Sequence, residues 1–436
     1  MELSTEQQLA FTKYRQGISF FVSGPGGTGK SMLIKTIYED AISRNKQIQV
    51  CALTGCAALL LNCKAKTIHS WSGIGIASGP KEDIVEKVLS NYQKTKNWRA
   101  VEILIVDEVS MMSLKIFEIL NMIATSIRNR NKLFGGIQVI FSGDFYQLPP
   151  VGNPQEIETS QFCFESELWD KLFLKENIII LKTIFRQKDK KYLKILNEIR
   201  NGKIYRSSLN ILLENVNKKR EDNIQPTKLY PKRHKVDQFN QLEMEKLVGD
   251  TQVYSLKYEY ELPMGQTQVE ERKKYSIDQI NRELQYIENS LLVNKNIELK
   301  VGAQVMCTIN YETIDGYQLC NGSRGVITSF QLSGIPVVQF KDGVEIPIDI
   351  HIWTSESIPG IGVSHIPLIL AWAMSIHKSQ GMTIDIAEVD AGQDIFECGQ
   401  TYVALSRVKS LEGLYLTSFD VTKIKMNNKV KEFYSK

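Results

Sequence analysis

The sequence predicts an α/β protein built on parallel sheets, and three stretches carry that reading. ISFFVSGPGGTGKS, residues 18 to 31, runs from an apolar strand through a glycine turn into an amphipathic helix. VEILIVDEVS, from Val101, is a strand that delivers two carboxylates at its end, and VIFSGDFYQLPPV, residues 139 to 151, is a third buried strand that stops at Asp144. Each run is short, β-branched and bounded by turn residues, which separates a buried strand from a piece of helix. Ligands of parallel sheets bind outside the carboxyl ends of the strands, so the three stops are expected on one edge.

GPGGTGKS fits G-x-x-x-x-G-K-[ST] in its required context, with a strand before it and a helix after it through about Ile42. At ordinary residue frequencies roughly one or two chains in a hundred of this length would carry the pattern by accident. In the loop Gly24, Pro25, Gly26, Gly27, Thr28 and Gly29 the glycines let backbone N–H groups turn inward around phosphate oxygens, and the helix N-terminus adds its positive end. Lys30 reaches the β- and γ-phosphates and the Ser31 hydroxyl suits Mg²⁺, so the expected ligands are ATP and Mg²⁺. At the second stop, Asp107 is placed to hold the Mg²⁺ shell with Ser31, and Glu108 to polarise the water that attacks the γ-phosphate. At the third, Pro149 and Pro150 forbid a continuing ladder or helix and hold Gln147, whose amide would distinguish ATP from ADP by touching the γ-phosphate. An Asp after a strand also serves simply as a turn or cap residue, and both readings of Asp144 stand at this level.

At 436 residues the chain is long enough for two or three domains, each with its own core. A hydrophobic fraction of 43% and a charged fraction of 23% are ordinary for globular protein. No apolar run approaches the roughly 18 to 20 residues of a membrane span. The N-terminus lacks a secretory core and carries acidic residues that a mitochondrial presequence avoids, so a soluble intracellular protein is expected, with the compartment open. Seven cysteines, odd in number and without a CxxC pair, agree; Cys51, Cys56 and Cys63 read as small core residues. The net charge of +4 is too small to demand nucleic acid, and the basic runs at 186–200 and 230–235 read as solvated helix faces.

The series GPGGTGKS, LIVDEVSMM, SGDFYQLPPV, IFRQKDKKYLKILNEIR, TKLYP, AWAMSIHKSQGMT and TYVALSRVKS closely resembles the Pif-one DNA helicases, in the RecD-like branch of helicase superfamily one, in order from Leu3 to about Leu416. The resemblance implies two RecA-like P-loop motor domains with small inserted domains, one a β-barrel. It implies motor domain 1A at 1–63 and 99–183, insertion 1B at 64–98, motor domain 2A at 184–300 and 367–436, and the barrel 2B at 301–366. LSTEQ is similar to that family's adenine-reading motif, which gives Gln7 the base edge, and Arg186 in FRQ and Arg407 in ALSR match its two arginine fingers. An always-charged guanidinium that forks onto phosphate oxygens fits that role, although local sequence alone reads Arg407 as a salt-bridge partner. The segment from Leu168 to Gly202 resembles the family's signature stretch. YPKRHK departs from the pattern, with Lys232, Arg233 and His234 where relatives more often carry a small polar residue and Asn.

A nucleic-acid motor grips the backbone without reading sequence, using hydroxyls, amides, histidines and lysines near strand ends. The candidates are Thr54, Thr67, His69 and Ser70 in the first half and His377, Lys378, Ser379 and Gln380 in the second; TIHSWSGIG and IHKSQG resemble the family's single-strand-binding and coupling motifs. Trp71 either stacks on a base or fills a core. Short β-rich runs between 301 and 353, punctuated by Asp315-Gly316, Asn321-Gly322 and Asp342-Gly343, carry hairpin signals. The expected activity is an ATP-dependent DNA helicase, monomeric and 5′-to-3′ by resemblance, acting on single-stranded and forked or tailed duplex DNA in replication, repair, recombination or telomere maintenance. The chain reads as a bare helicase core without regulatory tails. Two rivals are a RecD-like ATPase subunit that needs a partner and a DNA-binding protein switched by ATP without turnover. Retention of Glu108, Gln147, Arg186 and Arg407 speaks against the second.

Overall fold

The apolar runs read as strands form one six-stranded parallel sheet: β1 (Phe20–Ser23), β2 (Ile48–Ala52), β3 (Lys66–Thr67), β4 (Ile103–Asp107), β5 (Gln138–Gly143) and β6 (Ile178–Ile180), in the order β3-β2-β4-β5-β1-β6. The computed structural model describes residues 3–435 except 62, 76, 219–225, 292, 310, 313–317, 320–322, 341–342 and 356–357. Every residue of β1, β4 and β5 is buried, which is why these strands are continuously apolar rather than alternating. Register sets the site. Phe21 pairs with Phe141 and Val106 pairs with Phe141, so the residues that follow, Val22, Ser142 and Asp107, lie abreast. The P-loop, the acidic pair and Asp144 therefore leave the sheet on one edge.

Successive residues of a strand face opposite sides of its sheet, and the two cores follow that alternation. Phe20, Val22, Ile105 and Ile140 pack against helix α2 (Lys30–Ser43), which turns Leu33, Ile34, Ile37 and Ala41 to the sheet. Helix α1 (Thr5–Arg15) joins this side and starts at a capping box in which Ser4 and Gln7 exchange hydrogen bonds. On the other side, Phe21, Val106 and Phe141 pack on Trp169, whose ring lies 4.7 Å from Phe173, 5.3 Å from Phe21 and 5.9 Å from Phe433 between centroids. Phe433 comes from the helix Asn428–Ser435, so the end of the chain closes the core beneath the first sheet. Trp71 packs at 4.6 Å on Trp98, whose Nε1 donates to Ser72 O at 3.1 Å. Of its two readings Trp71 takes the core one. Cys51 and Cys63 are buried, as core residues should be, while the side chain of Cys56 lies outside the described residues.

The chain divides into two compact units, Met1–Lys232 with Ser375–Lys436, and Arg233–Met374. The first also holds the parallel strands Thr227–Tyr230, Ala387–Ala391 and Leu414–Phe419, hydrogen-bonded in that order. Helix Gln400–Ser406 follows the second of these, and helix Lys190–Arg200, capped by the Asp189 carboxylate, packs against that helix. The second unit contains the β-rich run expected as a barrel. Among the described residues it is a five-stranded antiparallel sheet, ordered Glu345–Pro347, Pro336–Phe340, Arg324–Phe330, Gln304–Cys307, Leu368–Leu370, over a core of Val305, Ile327, Val338 and Leu368. Gly343 makes one of the expected turns, donating to Phe340 O at 2.9 Å with φ 83°. Asp315-Gly316, Asn321-Gly322 and Asp342 lie outside the described residues. Among the described residues no helix is long and apolar enough to cross a membrane.

Trp169 is fully buried and touches both β1 and the last helix, so Trp169→Ala is expected to lower unfolding free energy by about 3–5 kcal/mol. A urea titration that shows less than about 1 kcal/mol would place the centre of this core elsewhere.

Candidate nucleotide and nucleic-acid site

The P-loop turns through Gly27 at φ 85° and Gly29 at φ 81° before α2 begins. Gly27 has no room for a side chain: a Cβ there would lie 2.4 Å from Arg186 Cβ, and its carbonyl accepts from Phe185 N–H at 2.7 Å. The FRQ segment thus lies directly on the loop. Lys30 is buried, and its Nζ donates to Gly24 O at 2.6 Å and Pro25 O at 3.1 Å, folded back over the loop it serves. Burial lowers its pKa, while Asp144, Glu108 and Asp107 favour its charge. Ser31 is exposed at the start of α2. Gln7 does not present a free amide: its Nε2 donates to Thr28 O and Gly29 O at 3.3 Å and its Oε1 accepts from Ser4 N–H at 2.9 Å, which ties α1 to the P-loop.

Asp107 is buried, with Oδ1 lacking any partner. Burial first, and the Glu108 charge second, push its pKa up to about 6. A buried orphan carboxylate oxygen beside a phosphate loop, with a serine hydroxyl nearby in the motif, is a donor set for a hard divalent cation. Glu108 sits in the left-handed region at φ 54°, ψ 40°, unusual for a residue with a side chain, and its Oε2 accepts from Gln380 Nε2 at 3.0 Å. Gln147 is buried and its Oε1 has no hydrogen-bond partner.

Both arginines reach the loop. A Cβ on Gly26 would lie 3.4 Å from Arg407 Nη2 and 3.5 Å from Arg186 Nη1. Arg407 is fully buried; its Nε donates to Val403 O at 3.0 Å and its Nη2 to Ser406 Oγ at 2.9 Å, so the salt-bridge reading is replaced by bonds to neutral acceptors. Arg186 Nη1 donates to Ser406 O at 3.2 Å. Burial, and then repulsion from Arg407, pull the Arg186 pKa down to about 10.

The question of Asp144 is settled by a residue that sequence reasoning passed over. Asp144 has no solvent exposure, and Arg200 grips both its oxygens, Nη2 to Oδ1 at 2.7 Å and Nε to Oδ2 at 3.0 Å. Its Oδ1 also accepts from Tyr146 N–H at 3.3 Å, so Asp144 serves the turn as well as the ion pair. Arg200 ends the helix whose basic run reads as a solvated face: Lys190, Lys191 and Lys194 are exposed as expected, but the opposite face buries Tyr192, Ile195, Leu196 and Ile199, and the last arginine turns inward. The Arg200 guanidinium also lies 4.1 Å from the Tyr146 ring centroid, and Tyr434 stacks on Tyr146 at 4.9 Å. Tyr402 was likewise unremarked: its phenol oxygen accepts Gly26 N–H at 3.1 Å, and burial pushes its pKa up to about 12.

The expected DNA contacts divide. His69 lines a cavity of about 240 Å³ with Leu53, Met111, Lys115, Pro150 and Val151, and burial lowers its pKa. Thr54 and Thr67 are partly exposed, but each hydroxyl accepts a helix-starting N–H, of Ala57 and Ser70 respectively, so both also act as caps. Ser70, His377 and Lys378 are partly exposed. Ser379 departs from expectation: it has no exposure, and its hydroxyl donates to Ile376 O at 2.8 Å, closing the turn. Gln380 is buried and turned to Glu108. In YPKRHK, Lys232 pairs with Asp394 at 2.8 Å.

A P-loop, an acidic pair two strands away on the same sheet edge and two arginines directed at the loop define a P-loop nucleotide-binding protein of the α/β class. The chain belongs to the PIF1-like helicases: residues 2–209 match that family's model, and residues 284–330 match the model described as DNA helicase Pif1, 2B domain. It is 36% identical over 440 residues to ATP-dependent DNA helicase PIF1 of Danio rerio, covering all of this chain and 64% of that protein. The chain thus spans a little under two thirds of the curated relatives it matches. Its fold is similar to the crystal structure of Pif1 helicase from Candida albicans, with TM-score 0.81, 34% identity and coverage of 100% of this chain and 99% of that one. It is also similar to Pif1 helicase from Bacteroides in complex with ADP-AlF3 and ssDNA, with TM-score 0.69, 27% identity and coverage of 100% and 97%.

Arg200→Met leaves the Asp144 carboxylate buried and unpaired, at an expected cost of about 3–5 kcal/mol, whereas the double variant Asp144→Leu/Arg200→Met should recover most of that loss. Equal stabilities of the single and double variants in urea would contradict the pairing. Tyr402→Phe removes the acceptor from Gly26 N–H in the nucleotide-free chain, a loss of about 1 kcal/mol. A non-hydrolysable ATP analogue whose phosphate takes that N–H should therefore bind roughly fivefold more tightly; an unchanged Kd by calorimetry would separate Tyr402 from the phosphate's place.

Proposed function

We propose that this chain is an ATP-dependent DNA helicase that translocates 5′-to-3′ on single-stranded DNA as a monomer and unwinds forked or tailed duplex, in replication, repair, recombination or telomere maintenance. The observation that carries it is the convergence of Arg186 and Arg407 on Gly26 of the P-loop, on the edge that also holds Lys30, Asp107, Glu108 and Gln147. Relatives named as ATP-dependent DNA helicases, and a Bacteroides relative in complex with ADP-AlF3 and ssDNA, support it.

Under this reading the P-loop amides and Lys30 hold the ATP phosphates, and Gln7 sits beside the adenine entrance. Ser31 and Asp107 would hold Mg²⁺, which when bound screens phosphate charge. Glu108 orients and polarises the attacking water, and Gln147 reads the γ-phosphate. Arg186 and Arg407 neutralise charge as the γ-phosphoryl group departs. Thr54, Thr67, His69 and Ser70 on one side and His377 and Lys378 on the other grip the strand. The division into motor domains 1A (1–63, 99–183) and 2A (184–300, 367–436) with insertions 1B (64–98) and 2B (301–366) belongs to the same proposal.

The experiment is ATP turnover with and without a single-stranded oligonucleotide at fixed salt. Wild-type turnover should rise strongly with DNA. Lys30→Ala should lose it altogether, and Arg407→Ala should keep nucleotide affinity within a few fold while kcat falls by about 10³-fold or more. DNA-indifferent wild-type turnover, or a near-normal rate in Lys30→Ala, would refute the reading.

A further inference from the structure

Phe396 is a large aromatic ring left 61% exposed, yet it stands on a stiff base. Its N–H and that of Glu397 both donate to Gln400 Oε1, at 3.1 and 3.4 Å, and the buried Gln400 amide donates in turn to Pro231 O at 3.4 Å. Lys423 Nζ donates to Ile395 O at 3.0 Å, and Asp394 is paired with Lys232. The loop is therefore fixed from below while its ring faces outward. One face of that ring is covered: the His377 imidazole lies nearly parallel, 15° between planes and 6.0 Å between centroids. Burial lowers the His377 pKa, so the imidazole meets the phenyl ring as a neutral aromatic.

We propose that Phe396, backed by His377, is a stacking platform for a nucleobase of the single strand. The inference rests on the DNA reading above and names a contact that reading did not contain. A rigid, flat, exposed ring loses little entropy when a base stacks on it, and every base offers a π-face, so the contact suits a protein that moves along DNA irrespective of sequence. Lys423 and the Lys232–Asp394 ion pair flank the loop and hold it in place beneath the ring. An apolar protein partner would need a contiguous patch, whereas here the neighbours of the ring in sequence, Asp394 and Glu397, are charged.

The test is fluorescence anisotropy of a labelled single-stranded oligonucleotide with the full chain. Phe396→Ala and Phe396→Leu should each weaken binding roughly 5- to 100-fold, and Phe396→Trp should retain it. The slope of log affinity against log salt should be the same for wild type and Phe396→Ala, because no ion contact is lost. On an abasic strand, wild type and Phe396→Ala should bind alike. Wild-type affinity in the Ala or Leu variants, or an equal loss on the abasic strand, overturns the platform while the DNA reading stands. A wild-type chain with no affinity for the strand overturns the DNA reading itself.

Discussion

The buried ion pair between Asp144 and Arg200 is the constraint on which the rest of the site depends. A carboxylate with no exposure is tolerable only when its charge and lone pairs are matched, so β5 can end where it does only if the helix Lys190–Arg200 brings its last residue to the same point. That requirement has consequences in both directions. Tyr146 is held beneath the Arg200 guanidinium and against Tyr434, which fixes the turn that carries Gln147. The same helix sends the Tyr192 hydroxyl to Leu405 O at 2.6 Å, which positions the helix that ends at Arg407. Gly399 completes the join: at φ 76°, a Cβ there would meet Tyr146 O at 2.5 Å and Gln147 O at 2.6 Å, so the turn and the helix start touch backbone to backbone.

Around that frame like charges are gathered at the P-loop. Lys30, Arg186 and Arg407 crowd the P-loop, and their nearest acceptors are carbonyls and a serine hydroxyl. Burial lowers the pKa of all three, and in Arg186 the neighbouring Arg407 adds to the effect. On the opposite side Asp107 is raised by burial and by Glu108. Like charges held together at a cost, beside an unpartnered carboxylate oxygen on Asp107 and an unpartnered amide oxygen on Gln147, are the pattern of a functional site and not of a packed core.

How much of this was legible follows from which interactions are local. The P-loop, the strand ends and the residues they deliver are written in runs of about ten residues, where periodicity and turn chemistry act directly, and they stand where expected. Arg200 was missed because its partner lies 56 residues away, and a basic run on an amphipathic helix has the same local pattern whether its last arginine faces water or a buried carboxylate. Tyr402 and Tyr434 sit in short helices where an aromatic reads as core, and only the fold reveals that their hydroxyls find Gly26 N–H and Ser23. Ser379 fails for a related reason: hydroxyls serve turns and caps as readily as ligands, and the choice is made by which backbone group lies within reach. Trp71, open between base and core, was decided by Trp98.

The Gln380–Glu108 hydrogen bond ties the acidic pair to the turn that carries His377 and Lys378. Glu108 is strained into the left-handed region and shares its carboxylate with Gln380, three residues beyond His377 and two beyond Lys378 in the same tight turn. The Ser379 N–H donates to Ser375 O and Ile376 O, and Met382 N–H to Ser379 O, so the turn is closed by its own backbone. Under the proposed function, a Glu108 that turns to orient water would give up or bend its bond to Gln380, so the state of the γ-phosphate and the turn that carries His377 would meet at one side-chain pair.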